Sequence, residues 1–296
     1  MISGVFAASI TPLNQDFSPD LESLPPYLNH LAERGCHGAL ILGTTGEGPS
    51  FSPEQRVAIF KSALQVRQNW PEFRLLAGVG TPSLEETSKL TRKAFDIGMD
   101  GVVILPPFYF RNVGDEGLLS WFLEILRTSV PPGGITLIYH IPALTGISLS
   151  IDLISRLHDS APNKFIGLKD SSGDKAFSAQ LSDHFGDELC IFTGNDRLFT
   201  EALNNHAAGC ITALANLISP DLNDLWTAKQ TQATADHIQM KISDFREICE
   251  QFQPFPPLIK FLVNKYFNFP RWPVCPPLVD LQKDSEFRVS AMLNLA

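Results

Sequence analysis

Short apolar runs separated by amphipathic segments form the main pattern of the chain up to about residue 214. The runs are almost continuous in hydrophobic residues and do not alternate with polar ones, which is typical of parallel strands covered on both faces. The pattern predicts eight strands, at residues 4–10, 38–43, 74–80, 101–107, 135–141, 164–169, 189–194 and 209–214.

Helical patterns lie between several of these strands. Ser52 is a predicted N-cap followed by Pro53, and Ser83 with Glu86 has the spacing of a capping box, with Gly98 as the predicted C-cap. Residues 150–160 and 195–209 have the same helical periodicity. Alternating strands and helices predict a (β/α)8 barrel. A doubly wound open sheet is the alternative, but the glycine fingerprint that often follows its first strand is missing.

The pattern changes after Pro220, where no further strand is predicted. Residues 221–252, 254–269 and 285–296 read as three helical segments. We therefore expect a catalytic barrel at residues 1–222 and a C-terminal helical region at residues 223–296.

Composition narrows the class of partner. The 296-residue chain is 44% hydrophobic and has a net charge of -9, and no run of lysine or arginine occurs. Nucleic acid and anionic membranes are therefore poor candidates as partners. The N-terminal stretch is a poor signal peptide, no apolar run is long enough for a transmembrane helix, and the five cysteines are scattered. We expect a cytoplasmic protein with reduced thiols.

The segment NKFIGLKDSSGD places Lys169 at the end of an apolar strand. Burial disfavours the charged form of lysine and lowers its pKa from about 10.4, so such a residue can supply a neutral amine. That amine can attack a ketone and form an imine, which acts as an electron sink. Tyr139, at the end of the neighbouring strand, is suited to shuttle protons. The alternative is a surface charge that happens to follow a strand.

Other residues of catalytic or binding type follow the strands, at the end of a barrel where active sites form. The sequence GTTGEG after strand two is either an ordinary loop or a nest of N–H and hydroxyl groups for a carboxylate. Its Glu47 is expected to form a hydrogen bond within the loop or to cap the next helix.

The seven histidines are dispersed, which disfavours a metal site, and His140 is expected to pack on the far side of its strand. The remaining strand-end candidates are Gly43, Thr44, Thr45, Tyr109, Gly194, Asp196, Arg197 and Ile211.

Three motifs in order, GTTGE, YHIPALTG and GLKDSSGD, resemble the dihydrodipicolinate synthase / N-acetylneuraminate lyase family of Schiff-base lyases. The resemblance implies that Lys169 forms an imine with pyruvate or another 2-oxo acid, without any other cofactor, and that Tyr139 moves protons. It implies that Thr44 and Thr45 hold the carboxylate of the 2-oxo acid and that the backbone of Ile211 lies beside it. It further implies that Tyr109 enters the site of a neighbouring subunit in a dimer or in a tetramer made of two dimers.

Departures from the family pattern bear on the second substrate, an aldehyde. Where dihydrodipicolinate synthases have an arginine for the aldehyde's carboxylate, this chain has Leu144, which cannot form that pair. The segment PALTG and the segment KDSSGD are more similar to the lyases of sugar acids. The N-acetylneuraminate lyase pattern fails in part, since Asp196-Arg197 and Ala213 replace an Asp-Glu pair and a serine. We therefore expect a lyase for 2-keto-3-deoxy sugar acids, with Ser171, Asp196 and Arg197 at the variable end.

Four alternatives remain open at this point. They are a dihydrodipicolinate synthase acting on aspartate semialdehyde, a dehydratase with the same imine chemistry, a catalytically silent barrel that binds a small acid, and a phosphate-binding barrel enzyme without covalent chemistry. The last would place its anion site after strands seven and eight, where TGNDR is only weakly suggestive.

Overall fold

The eight predicted strands form a closed parallel barrel in the computed structural model, which describes residues 2–295. Each strand pairs with the next one in sequence, and β8 pairs with β1 to close the barrel. The fold prediction is therefore confirmed. The strands are β1 (Gly4–Ala8), β2 (Gly38–Ile41), β3 (Arg74–Gly78), β4 (Gly101–Ile104), β5 (Ile135–His140), β6 (Phe165–Asp170), β7 (Cys190–Thr193) and β8 (Gly209–Thr212).

Helices surround the barrel and continue beyond it. Those between strands are α1 (Leu24–Glu33), α2 (Pro53–Ala63), α3 (Leu84–Asp96), α4 (Asp115–Ser129), α5 (Pro142–Thr145), α6 (Ile151–Ser160), α7 (Lys175–Phe185) and α8 (Phe199–Asn204). After β8 come α9 (Ala215–Gln230), α10 (Asp236–Glu250), α11 (Phe255–Phe267) and α12 (Lys283–Met292). Residues 2–295 contain no helix that is both long and apolar enough to cross a membrane.

The predicted helix starts are found where the capping residues stand. The Ser52 hydroxyl accepts a hydrogen bond from the N–H of Gln55, and the Gln55 side chain accepts one from the N–H of Ser52, which completes a capping box. Ser83 accepts from the N–H of Glu86, but the return bond of a capping box is not formed. Gly98 lies one residue beyond the C-cap with φ +97°, a conformation that favours glycine.

Two apolar clusters make up the core of residues 2–295. The first lies between the barrel wall and the helices, and the second fills the barrel interior. Phe6 and Phe192 meet edge to face inside the barrel, with ring centroids 5.5 Å apart. Tyr139 and Ile211 also belong to the interior cluster, so these two predicted site residues point into the barrel.

The C-terminal region departs in detail from its predicted pattern. The single helical segment expected at residues 221–252 is split, because α9 ends at Gln230 and α10 begins at Asp236. The expected domain boundary after residue 222 falls inside α9, which starts directly after β8 and is kinked at Ile218, two residues before Pro220. The second helical segment of α9, after the kink, therefore runs across the expected boundary into the C-terminal region.

Candidate active site

The ends of β5 and β6 bring Tyr139 and Lys169 together. The two residues are register partners on adjacent strands, so their side chains point to the same side of the sheet. Lys169 is 3% exposed and Tyr139 is 4% exposed. The Nζ atom of Lys169 lies 4.1 Å from the centroid of the Tyr139 ring. An amine and a phenol are thus held side by side inside the wall of the barrel.

The environment of Tyr139 changes its acidity. Burial alone would raise the pKa of the phenol. The charge of Lys169, together with hydrogen-bonding contacts from the side chains of Thr44, Ser171 and Lys169, outweighs burial and leaves the pKa of Tyr139 below its ordinary value. A phenol of lowered pKa gives up and takes back its proton more readily near neutral pH, as a proton relay requires.

The next residue of each strand faces the helices instead. His140 and Asp170 are buried behind Tyr139 and Lys169, and Nδ1 of His140 lies 3.0 Å from Oδ1 of Asp170. The imidazole also packs on Phe177 of α7, with ring centroids 4.5 Å apart. The expectation of a packed histidine on the far side of β5 is confirmed, and its contact with Asp170 joins β5 to β6 beneath the site.

The loop after β2 lies next to this pair of strands. Gly43 and Thr45 are buried, and Thr44 is half-buried with its hydroxyl near that of Tyr139. The N–H of Glu47 donates to the carbonyl oxygen of Thr44 over 3.1 Å, which closes a turn. The Thr11 hydroxyl donates to the carbonyl oxygen of Gly46 over 2.7 Å and holds the turn to the barrel.

The predicted role of Glu47 within the loop is wrong. Its carboxylate turns away from the loop and meets the C-terminal region, where it accepts a 2.7 Å hydrogen bond from the N–H of Cys275 and lies 2.6 Å from Nζ of Lys260. Sequence reasoning missed Lys260, although a signal was present: it is a lone lysine inside the otherwise apolar segment FPPLIKFLV of α11. A charge in such a segment needs a buried partner.

The close approach of β6 and β7 at their ends depends on Gly194. A Cβ atom at this position would lie only 1.9 Å from Oγ of Ser171. The absence of a side chain therefore gives Ser171 the space from which its hydroxyl reaches Tyr139. The structure thus places Gly194 against Ser171 and Ser171 beside Tyr139, while their contact with substrate stays a prediction.

Two charged candidates after β7 already have protein partners. Asp196 is 0% exposed, and its Oδ2 lies 2.8 Å from a guanidinium nitrogen of Arg246 in α10. Arg197 lies at the surface and pairs with Glu250 of the same helix at 3.3 Å. A short turn at residues 196–198 thus places both side chains against α10, and their contact with the aldehyde stays a prediction.

The remaining candidates occupy three different environments. Ile211 is fully buried in the barrel interior, and its strand β8 pairs with β1 and β7. Leu144 stands in α5 just after β5 and is 57% exposed. Tyr109 is 76% exposed and contacts Phe110, whose ring centroid is 5.2 Å away. Within one chain Tyr109 therefore lies outside the buried site.

A cavity lies at the end of the barrel opposite to Lys169. It measures about 800 Å³ and is lined by residues at the strand starts, such as Phe73, Phe165 and Cys190, and by none of the predicted site residues. Because barrel active sites form at the carboxyl ends of the strands, the Lys169 end rather than this cavity is the candidate active site. Within residues 2–295 no three His, Cys, Asp or Glu residues are grouped closely enough to hold a metal ion.

Comparisons with known proteins cover almost the whole chain. Residues 1–296 match the family model described as the dihydrodipicolinate synthetase family. The chain is 36% identical over 282 residues to an uncharacterized DapA-like lyase of Chloroflexus aurantiacus, which covers 95% of this chain and 92% of that protein. It is 29% identical over 262 residues to the 4-hydroxy-tetrahydrodipicolinate synthase of Methanospirillum hungatei, covering 86% and 87% of the two chains.

Solved structures agree on the architecture. The crystal structure of YagE, a prophage protein from E. coli K12 in complex with pyruvate, matches with a TM-score of 0.92 at 23% identity. The match covers 99% of this chain and 98% of that one. At this identity the likeness concerns the fold.

Proposed function

Because the chain belongs to the dihydrodipicolinate synthetase family, we propose that it is a class I lyase that cleaves or forms a 2-keto-3-deoxy sugar acid. The products of cleavage are pyruvate and an aldehyde. One observation carries the proposal: the buried amine of Lys169 lies 4.1 Å from the ring of Tyr139, at the carboxyl end of the barrel. This pairing of an amine with a phenol is what imine chemistry needs.

The proposed reaction uses the nitrogen of Lys169 as the nucleophile. The amine adds to the ketone carbon of the sugar acid, and loss of water leaves a protonated imine. Tyr139 takes the proton from the C4 hydroxyl, the bond between C3 and C4 breaks, and its electron pair moves into the imine to give an enamine. The aldehyde leaves, C3 takes up a proton, and water releases pyruvate and the free amine.

The carboxylate of the 2-oxo acid is assigned to the turn after β2. Thr44 and Thr45 offer hydroxyl and N–H donors at the site, and backbone N–H groups in such a turn favour an anion. The Thr44 hydroxyl is also a neighbour of the Tyr139 hydroxyl, so protons can pass between them. Gly43 and Ile211 supply backbone beside the bound pyruvyl group.

The choice of sugar acid over aspartate semialdehyde depends on Leu144. An exposed leucine on the α5 turn offers no donor to the second carboxylate of aspartate semialdehyde. The runner-up function is nevertheless 4-hydroxy-tetrahydrodipicolinate synthase, since a relative at 29% identity bears that name. A dehydratase would form the same imine and is distinguished by its product, a dehydrated 2-oxo acid.

An oligomer in which Tyr109 completes the site of a neighbouring copy is part of the proposal. Tyr109 and Phe110 are 76% and 70% exposed, and together they form an apolar projection beside the barrel mouth. A Tyr109→Phe variant and a Lys169→Ala variant, each inactive alone, should then recover activity when mixed and allowed to exchange subunits. No recovery in a mixture shown to have exchanged would contradict shared sites.

Reduction of the imine tests the proposed function directly. The protein is incubated with pyruvate, sodium borohydride is added, and the mass of the intact chain is measured. We expect one reduced pyruvyl adduct, absent in Lys169→Ala and retained in Lys175→Ala, which removes an exposed lysine of α7. No adduct with pyruvate or another 2-oxo acid would favour the silent barrel that only binds a small acid.

The substrate is then identified with a panel of 2-keto-3-deoxy acids, assayed for cleavage, and of aldehydes, assayed for condensation with pyruvate. Pyruvate released from a 2-keto-3-deoxy acid supports the sugar-acid lyase. Condensation with aspartate semialdehyde, without release of pyruvate from any such acid, would replace it with the synthase.

A further inference from the structure

A buried ion pair joins the loop after β2 to the C-terminal helices. Lys260 of α11 and the Glu47 side chain are both fully buried, and Nζ lies 2.6 Å from Oε1. The ammonium group also donates a 2.6 Å hydrogen bond to the carbonyl oxygen of Pro273, and the N–H of Cys275 donates to Oε2 of Glu47. The Glu47 carboxylate is thus held on both oxygens by residues far away in sequence.

The pair is placed to control the turn that precedes it. Glu47 has φ +57°, a left-handed conformation that non-glycine residues rarely adopt and that a firmly held side chain can maintain. Its N–H closes the turn on the carbonyl oxygen of Thr44, whose hydroxyl neighbours Tyr139. A movement of Glu47 is therefore passed to Thr44 and Thr45 through three peptide units.

Stability alone does not require charge at this position. Replacing a buried ion pair by apolar residues of similar volume is often neutral for folding or even stabilising. Burial lowers the pKa of Lys260 while Glu47 opposes that shift, so the protein bears the cost of desolvating both groups. The charged pair of Glu47 and Lys260 is therefore better explained by a need to fix the position of the loop after β2 than by a need to bury surface.

We propose that Lys260 and the N–H of Cys275 hold Glu47 and thereby position the Thr44–Thr45 turn for the carboxylate of the 2-oxo acid. Glu47 and Lys260 are positioning residues, and the C-terminal helical region supports the active site rather than only covering the barrel. The inference rests on the proposed function, because it concerns the binding of the 2-oxo acid that forms the imine.

The test separates positioning from stability with four variants of the full chain. Glu47→Gln and Lys260→Met each leave one buried charge unpaired, and the double variant Glu47→Gln/Lys260→Met removes both charges. Asp100→Asn is the matched control, since it breaks partly buried ion pairs with Arg67 and Arg74 at the opposite end of the barrel. For each variant we measure the unfolding temperature and the pyruvate concentration that gives half-maximal borohydride trapping, well below that temperature.

We expect the unfolding temperature and the pyruvate concentration for half-maximal trapping to change independently of each other. Each single variant unfolds at a lower temperature, and the double variant recovers much of the loss because no charge is left unpaired. The two single variants and the double variant each need a pyruvate concentration at least about 10-fold higher for half-maximal trapping. A small misplacement of the groups that bind the carboxylate is enough to weaken binding by this factor. Asp100→Asn loses stability but keeps the wild-type pyruvate concentration.

Two results would overturn the inference. One is a double variant that traps at the wild-type pyruvate concentration, and the other is single variants that stay within about twofold of it while folded. Either result leaves the proposed function intact, provided that borohydride traps the pyruvate imine on the wild-type protein. A wild-type protein that no 2-oxo acid traps would instead remove the proposed function, and this inference with it.

Discussion

Substitution of Asp196 tests whether its carboxylate stabilises the fold or binds the aldehyde substrate. The sequence places this carboxylate after β7 among the candidates for the aldehyde, whereas the structure pairs it with Arg246. Asp196→Asn keeps the shape of the side chain and removes its charge. The Arg246 side chain, 11% exposed, would then keep only Glu250 as an anionic partner, at 2.8 Å from Nε.

The size of the effect follows from burial. Breaking a buried pair by removing one charge costs about 3–5 kcal/mol, because the remaining charge loses its partner. Glu250 still compensates part of the Arg246 charge, so we expect about 3 kcal/mol. At roughly 2–4 °C per kcal/mol for a domain of about this size, the unfolding temperature should fall by roughly 6–12 °C. The control Asp221→Asn breaks a surface pair with Lys241 and should cost less than about 1 kcal/mol.

Thermal unfolding and steady-state kinetics together decide the case. A structural Asp196 predicts a lower unfolding temperature with the KM for every accepted aldehyde within about twofold of wild type, since the carboxylate has no contact with substrate. An unchanged unfolding temperature with a raised KM for one aldehyde would refute the reasoning. It would restore Asp196 to the substrate site.

Three further predictions follow from the described contacts. Ser171→Ala removes a hydroxyl whose interaction with Tyr139 lowers the pKa of that phenol, so the pKa of Tyr139 should rise. Because Tyr139 must be deprotonated to accept the C4 hydroxyl proton, the limb of the kcat/KM profile that rises with pH should move to higher pH; an unmoved limb would exclude this role. Leu144→Arg should raise the use of aspartate semialdehyde relative to neutral aldehydes by roughly 10-fold, measured as the ratio of kcat/KM values; an unchanged ratio would show that this position does not select the aldehyde. Burial raises the pKa of the Cys36 thiol to about 12, whereas Cys275 is half-buried. A thiol reagent at about pH 8 should therefore modify Cys275 first, seen as a fast phase of the reaction. Cys275→Ser should lose this fast phase, and a variant that keeps it would contradict the assignment.

The barrel could be predicted from the sequence because its signal is local. A strand covered on both faces must be apolar throughout, and each of the eight apolar runs became a strand. Strand order then followed, since parallel strands joined by helices pair in sequence when a barrel closes. The prediction that Lys169 and Tyr139 meet needed only this order and the alternation of side chains along a strand.

The break between α9 and α10 lay beyond such reasoning. The residues around it, Gln230 to Asp236, contain neither glycine nor proline, the residues that most clearly mark the end of a helix. The helix ends because α10 must turn back to pack on α9 and on the 196–198 turn, a contact set by the tertiary fold. Local helix propensity was overridden by packing.

Charged side chains were the least predictable part of the site, because their partners are distant in sequence. Asp196 and Arg246 are 50 residues apart, and Glu47 and Cys275 are 228 apart. Read locally, a charge after a strand looks available to substrate; once the chain folds, burial makes an unpaired charge costly, and a partner from another element compensates it. Lys169 differs from these charges, since within residues 2–295 it is buried yet forms no ion pair with a carboxylate. This combination of burial, the neighbouring phenol of Tyr139 and the lack of an ion-pair partner is why we propose Lys169, among the buried charged residues, as the nucleophile.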